Sequence, residues 1–270
     1  MKITSHTRFL GVLGAPITHS RSPAMQNAAL EALGLDYVYL AFAVPPERLP
    51  DAIAGARALG VRGLNVTIPH KEAVLALCRP DETARTVGAV NTLVFEANEV
   101  VGANTDVHGF RMLCAEAGAD VRGRALVLGA GGGARAVVAA LRETSPSIVA
   151  CSRSSRTIEG AQVVGWPRSA SEWERLLAET DLLIDATPRG LEEESAGPDL
   201  KVLPPNAVVL DLVVRQETPL VRAARERGLR AAAGATMLVH QGAASLEMWV
   251  GLRPPLDVMR AALDAALVIS

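Results

Sequence analysis

Arg124-Ala125-Leu126-Val127-Leu128-Gly129-Ala130-Gly131-Gly132-Gly133-Ala134-Arg135-Ala136-Val137-Val138-Ala139-Ala140-Leu141 is the stretch on which the reading of the fold turns. Ala125 to Leu128 is a short apolar run of the kind that makes a buried parallel strand. A glycine turn follows at once, and Arg135 to Arg142 then places Val137, Val138 and Leu141 on one side of a helix. Strand, glycine turn and helix form the context of a dinucleotide-binding turn. Gly129 permits the tight bend and Gly131 lets the backbone approach a pyrophosphate. Ala134 occupies the third position, where a small residue lets helix pack on strand. Ala130, Gly132 and Gly133 complete the turn, which would offer unpaired N–H groups at the positive end of the helix.

An acid about twenty residues on would bind a ribose hydroxyl. None stands there. The next strand, Ser147 to Cys151, ends in Ser152-Arg153-Ser154-Ser155-Arg156. Guanidinium groups bind phosphate oxygens in pairs and hydroxyls fill the remaining acceptors, so this end favours NADP over NAD.

Working outward, a chain of 270 residues suggests two domains. Apolar residues make up 49% and charged residues 21%, an ordinary globular balance, and a net charge of −2 with no long basic run implies no nucleic-acid partner. No segment approaches a membrane span, and the first residues lack the apolar core of a secretion signal. Cys78, Cys114 and Cys151 are scattered without a CxxC pair, which points to a reducing, cytoplasmic setting. His6, His19, His70, His108 and His240 show no metal-ligand spacing, so no metal is expected.

Before the glycine turn, Arg8 to Gly14 reads as a strand and Ala24 to Leu33 as a helix, with Ser22 as its N-cap ahead of Pro23. Ser20 and His19 add further polar groups there. Tyr37 to Val44 reads as a strand and Leu49 to Leu59 as a helix. Next comes a strand with Asn65 and Thr67 alternating against Leu64, Val66 and Ile68, ended by Pro69, with Lys71 opening a helix. Asn is a poor strand residue unless its side chain is used, and a helix start disfavours a cation, so Lys71 reads as facing a ligand crevice. Gly88 to Phe95 and Val100 to Asp106 look like a hairpin before a helix from Val107 to Ala117, for which Asp106 would suit as N-cap. Beyond Gly123, strands at 125–128, 148–151, 162–164, 181–186, 207–212 and 230–233 alternate with helices, which implies a doubly wound parallel sheet. The helical segments 237–252 and 255–267 should pack back on the first half.

These polar clusters, in this order, resemble the shikimate dehydrogenase family. The stretches that carry the resemblance are His19-Ser20-Arg21-Ser22-Pro23, Asn65-Val66-Thr67-Ile68-Pro69-His70-Lys71, Gly88-Ala89-Val90-Asn91-Thr92, Asn104-Thr105-Asp106, the glycine turn, and Met237-Leu238 with Gln241. The resemblance implies a two-domain α/β fold. A substrate-binding catalytic domain (1–105 plus 237–270) and a Rossmann NADP-binding domain (106–236) would flank an active-site cleft. The implied activity is reversible, NADP-dependent reduction of 3-dehydroshikimate to shikimate by a monomer or homodimer. It also implies roles for residues. Ser20 and Ser22 would bind the substrate carboxylate, and Asn65, Thr67, Asn91 and Gln241 its hydroxyls. Lys71 and Asp106 would form the catalytic pair. Ser152, Arg153, Ser154 and Arg156 would meet the 2′-phosphate. Thr187, Leu212, Gly234 and Met237 would lie beside the rest of the cofactor.

Two departures bear on substrate. Asp185 puts a carboxylate where the family commonly has an amide, and Val214 aligns with a tyrosine that reaches the substrate. A quinate or aminoshikimate-type dehydrogenase therefore stays open, as does a non-catalytic NADPH-binding sensor, against which the presence of both Lys71 and Asp106 argues.

The chemistry of these residue types stands without the resemblance. Reduction of a ketone needs a hydride from a cofactor and a proton delivered to oxygen. A lysine held by an aspartate can supply that proton and stabilise the developing alkoxide.

Overall fold

In a computed structural model, residues 3–154, 156–188 and 198–268 are described. The chain divides into two compact units, one formed by Met1–Asp106 with Val239–Ser270 and the other by Val107–Leu238.

The first unit carries a mixed sheet. Its strands are β1 (Arg8–Gly14), β2 (Tyr37–Ala43), β3 (Gly63–Val66), β4 (Arg79–Pro80), β5 (Thr92–Phe95) and β6 (Val100–Ala103), in the order β2-β1-β3-β5-β6-β4. β1 runs parallel to β2 and β3, whereas β5 is antiparallel to both β3 and β6. Helices α1 (Ser22–Ala32), α2 (Leu49–Ala58) and α3 (Glu82–Val87) join them, and α9 (Leu256–Val268) packs against α1. Leu13, Val44, Leu49, Ile53, Leu64, Val66, Val74, Leu93 and Phe95 form one core under this sheet. Gly63 is required where it stands: a Cβ there would lie 2.0 Å from Trp249 Nε1, whose indole crosses the strand and donates to Leu93 O at 2.9 Å.

The second unit is the doubly wound parallel sheet. Its order is β12-β11-β10-β7-β8-β9, from β7 (Ala125–Leu128), β8 (Ile148–Ser152), β9 (Gln162–Gly165), β10 (Leu182–Asp185), β11 (Val208–Asp211) and β12 (Arg230–Ala233). The order reverses beside β7, whose carboxyl end is therefore the switch point where such sheets bind ligands. Helices α5 (Gly132–Leu141), α6 (Ala170–Leu177) and α7 (Pro219–Glu226) belong to this unit, and α4 (Asp106–Ala117) leads into it. Leu126, Leu128, Leu183, Val209, Leu220 and Leu229 form its core, read in sequence as continuous apolar runs because a parallel sheet is covered on both faces. Helix α8 (Ala235–Val250) begins in this unit and returns the chain to the first.

Several local expectations need correction. Ser22 is not the N-cap of α1. Arg21 holds that position, Ser22 is the first helical residue, and the Ser20 hydroxyl accepts the Ser22 N–H at 3.3 Å. Asp106 likewise opens α4 from inside, and its N–H is taken by Asn104 Oδ1 at 3.1 Å, which leaves its carboxylate for other work. Lys71 does not open a helix. It sits in a turn before a short 3-10 helix over Ala73–Leu77. β3 ends at Val66, which puts Thr67 just beyond the ladder. The sequence pattern gave no sign of β4 or α3, both too short for a periodicity to show.

Candidate active site

The end of β3 and the start of α4 bring two opposite charges together. Lys71 Nζ lies 2.7 Å from Asp106 Oδ2, with the lysine side chain 18% exposed and the aspartate 6%. A partly buried pair of this kind is held only if the remaining lone pairs are satisfied. They are: Asn91 Nδ2 donates to Asp106 Oδ1 at 2.9 Å, so cation and amide each hold one carboxylate oxygen.

Behind the pair lies a continuous polar network. Asn91 Nδ2 also faces Thr105 Oγ1 at 2.9 Å and Gln241 Oε1 at 3.2 Å, while Asn91 Oδ1 accepts the Thr105 N–H and the Thr92 hydroxyl. An amide has two protons and two lone pairs, so Asn91 is fully engaged and acts here by orienting Asp106. Asn65 Nδ2 donates to Asn91 O and faces Thr92 Oγ1 and Ser245 Oγ, and Asn65 Oδ1 accepts the Tyr39 hydroxyl at 2.7 Å. What Asn65 retains for a ligand is one Oδ1 lone pair, suited to a hydroxyl proton. The Thr67 methyl packs where a Gly14 Cβ would be, 2.6 Å away, so the glycine lets this loop close over β1.

The first unit therefore gathers Lys71, Asp106, Asn91, Asn65 and Gln241 into one network, to which the Tyr39 hydroxyl is joined through Asn65. Ser20 meets Ser22 only through its hydroxyl and the Ser22 N–H. Tyr39, Thr92, Thr105 and Ser245 were not singled out by sequence reasoning. Ser245 could have been: it stands four residues after Gln241, on the same face of α8, and back-bonds to Gln241 O at 2.9 Å. His70 is wholly structural, with Nε2 2.7 Å from Val44 O and 1% exposure.

In the second unit, Gly129 adopts φ +111° and Gly131 is the N-cap of α5 without any side-chain cap. A Cβ on Gly131 would meet nothing within 4 Å, which is the open approach a pyrophosphate needs. A Cβ on Gly129 would lie 3.3 Å from Thr187 Cγ2, and one on Gly133 would lie 3.7 Å from Leu212 Cδ1. At Gly234 the same atom would fall 2.3 Å from Leu212 O. Gly129, Gly133, Thr187, Leu212 and Gly234, distant in sequence, thus converge at the carboxyl ends of β7, β10, β11 and β12. Ala134 is fully buried and Met237 nearly so.

At the end of β8, Ser152 is buried, Arg153, Ser154 and Arg156 are exposed, and no acid is present; Ser155 lies outside the described residues. This donor set fits a phosphorylated ribose. Residues of the glycine turn and β8 would hold the dinucleotide, with Arg153 toward its 2′-phosphate.

Two carboxylates stand side by side on the strand ends of this unit: Asp185 pairs in register with Asp211. Asp185 Oδ1 accepts both the N–H and the hydroxyl of Thr187, at 2.8 and 2.6 Å, a task an amide oxygen performs equally well. Burial and then the Asp185 charge push Asp211 up to about 6, opposed by the Val213 N–H and the Thr218 hydroxyl. A carboxyl whose pKa is raised on folding stabilises the fold while protonated, and that contribution is lost as pH rises from about 4 through about 6. The cost of ionising it is on the order of 3 kcal/mol by the usual conversion. Asp211→Asn should therefore melt higher than wild type at neutral pH, with the gap closing toward pH 4. Parallel melting curves across that range would refute this.

Among the described residues, no group of three His, Cys, Asp or Glu side chains could hold a metal ion. Burial pushes the Cys114 thiol up to about 12 and Cys78 and Cys151 to about 11, so none is a ready nucleophile. No helix among the described residues is long and apolar enough to cross a membrane.

Residues 12–93 match the family model described as the shikimate dehydrogenase substrate binding domain, and residues 234–263 match the shikimate 5′-dehydrogenase C-terminal domain. The shikimate dehydrogenase (NADP(+)) of Symbiobacterium thermophilum is 46% identical, covering 96% of this chain and 95% of its own. That of Geobacter metallireducens is 44% identical over 99% of both chains. Among solved structures, the Thermus thermophilus shikimate 5-dehydrogenase in complex with NADP(H) and shikimate superposes with a TM-score of 0.86 at 38% identity, covering 96% of this chain and all of its own. With this identity over nearly its whole length, and with the Lys–Asp pair and glycine turn in place, the chain belongs to the shikimate dehydrogenase family.

Proposed function

We propose that the chain is an NADP-dependent shikimate dehydrogenase, which interconverts 3-dehydroshikimate and shikimate and so serves the biosynthesis of aromatic amino acids. The observation that carries this reading is the Lys71–Asp106 pair, held at 2.7 Å with the second carboxylate oxygen fixed by Asn91. Substrate binding is assigned to the first unit and cofactor binding to the second.

NADPH, when bound, supplies the hydride. Lys71 gives a proton to the ketone oxygen as that oxygen gains negative charge, and Asp106 keeps the ammonium aimed at it. In the reverse direction the same steps run backward, and the hydroxyl proton passes to the Lys71 amine. Ser20 and Ser22 donate to the carboxylate, and Asn65, Thr67 and Gln241 meet the ring hydroxyls. In the second unit Gly129 to Ala134 cradle the pyrophosphate, and Arg153 and Arg156, with Ser152 and Ser154, receive the 2′-phosphate. Every side chain assigned to the acid lies in one unit of one chain, so a monomer suffices for binding it. A cytoplasmic setting suits three unpaired thiols.

Val214, half-buried after β11, offers no hydrogen bond, so quinate is the competitor to test. Purified enzyme with NADP⁺ is expected to oxidise shikimate with a kcat/KM at least about tenfold above that for quinate. A preference of that size for quinate would change the substrate. NADPH binding with turnover of neither compound would leave a sensor rather than an enzyme.

A further inference from the structure

Gln26 is wholly buried on α1, one turn after Ser22, so the two side chains lie on the same face of that helix. Its Nε2 donates to the main-chain oxygen of Gly242 on α8 at 2.9 Å. Gly242 directly follows Gln241, whose Oε1 faces Asn91 Nδ2 at 3.2 Å inside the polar network. One hydrogen bond therefore runs from the helix that carries Ser22 to the turn of α8 that carries Gln241.

The two helices approach closely at this point. A Cβ on Gly242 would fall 2.3 Å from Met25 Cε and 3.1 Å from Gln26 Nε2, so a larger residue would have to move α8 or the end of Met25. A carbonyl oxygen has two lone pairs, and within a helix the N–H four residues on takes one. The second serves Gln26, which gives α8 a fixed point that the helix does not supply by itself.

The amide is only half satisfied. A main-chain oxygen can only accept, so Nε2 must face Gly242 and the orientation of the amide is set. Its Oε1 is thereby turned elsewhere in the interior, where no protein group among the described residues donates to it. Burying a polar atom without a partner is unfavourable, and an apolar side chain of similar size would avoid it. A buried group that the fold alone would do better without marks a position held for function.

We propose that Gln26 is a positioning residue: through Gly242 O it sets the turn of α8 from which Gln241 reaches the ring hydroxyls of the acid. Its effect is on binding and not on proton delivery, which belongs to Lys71 and Asp106. The inference rests on the reading of Gln241 as a ligand of those hydroxyls.

The test is steady-state oxidation of shikimate with NADP⁺, read beside thermal melts. Gln26→Leu keeps the bulk of the side chain and removes both polar atoms. It should raise the KM for shikimate by about threefold to tenfold, the range for one misplaced neutral hydrogen bond. kcat and the KM for NADP should stay within about twofold of wild type, as they do when only ground-state binding is lost. The melting temperature should be no lower than that of wild type, because the unpartnered oxygen is gone. A merely structural glutamine gives the reverse pattern, a lower melting temperature with an unchanged KM. An unchanged KM for shikimate in Gln26→Leu overturns the proposal.

Gln241→Ala supplies the reference. It should raise the KM at least as far, and in its background Gln26→Leu should add less than about twofold, since both act on one contact. Full additivity overturns the proposal. A normal KM in Gln241→Ala would remove the reading of Gln241 as a ligand, and the proposal with it. If Gln26→Leu does not fold, Gly242→Ala takes its place: the added Cβ displaces α8 at the same point and should raise the KM for shikimate alone. A normal KM there also overturns the proposal. Wild-type enzyme that does not oxidise shikimate would overturn the proposed function itself.

Discussion

Lys71→Ala is expected to lower kcat by about a hundredfold or more while changing the KM for shikimate far less. The reason is where the charge appears. In the ground state the ketone oxygen is neutral, and an ammonium beside it gains little. As hydride arrives the oxygen becomes an alkoxide, and only then does it carry a charge for the ammonium to stabilise. Asp106→Ala should resemble Lys71→Ala, because an unanchored lysine loses its aim. The double variant should be little worse than either single one, since the two side chains act as a unit at 2.7 Å. One confounding effect is built in: without Lys71 the Asp106 carboxylate stays nearly buried with only Asn91 to satisfy it. Thermal melts with and without NADP separate lost chemistry from lost fold. Near-normal turnover in a folded Lys71→Ala enzyme would reduce Lys71 to a lysine in a turn.

The glycine turn was legible because its requirements are local. A four-residue strand, a glycine at φ +111° and a helix without a side-chain cap leave marks within a dozen consecutive residues. Lys71 was legible for a different reason, as a cation where a helix start would disfavour one, and Asp106 through the resemblance that Asn104-Thr105-Asp106 carries. Their partnership was not readable from propensity, because it depends on β3 and α4 arriving side by side across 35 residues. The inner network was hidden more deeply. Tyr39 looks like any strand aromatic, and Ser245 like any small helical residue. Their roles come from sheet order, which sets β1 between Tyr39 and Asn65, and from side-chain direction, which turns Ser245 toward Thr92 at 2.7 Å. The errors at Ser22 and Asp106 share one physical cause. Ser and Asp are favoured as caps, but here each is the first residue inside its helix, where its side chain is not the cap.

Arg153→Ala should weaken NADP selectively. At the end of β8, Ser152 Oγ accepts the Ser154 N–H at 3.2 Å and so bends the chain at Arg153. The guanidinium is left exposed. The segment is tied to the glycine turn by Arg135, the fourth residue of α5, which donates to Thr157 O at 3.1 Å. A ligand seated on the amino end of α5 would thus have Arg153 at the end of the neighbouring strand, β8. Among the described residues of this strand end no carboxylate stands to repel a 2′-phosphate or to pair with a free 2′-hydroxyl. A hydrogen bond to a charged group is worth about 1.5–3 kcal/mol, so the loss should raise the KM for NADP by roughly tenfold or more and leave that for NAD nearly unchanged. Because the arginine is exposed, salt screens it, and the wild-type advantage over the variant should shrink as ionic strength rises. Equal losses for NADP and NAD, or a loss indifferent to salt, would place the 2′-phosphate elsewhere and remove the basis for the cofactor preference read from this strand end.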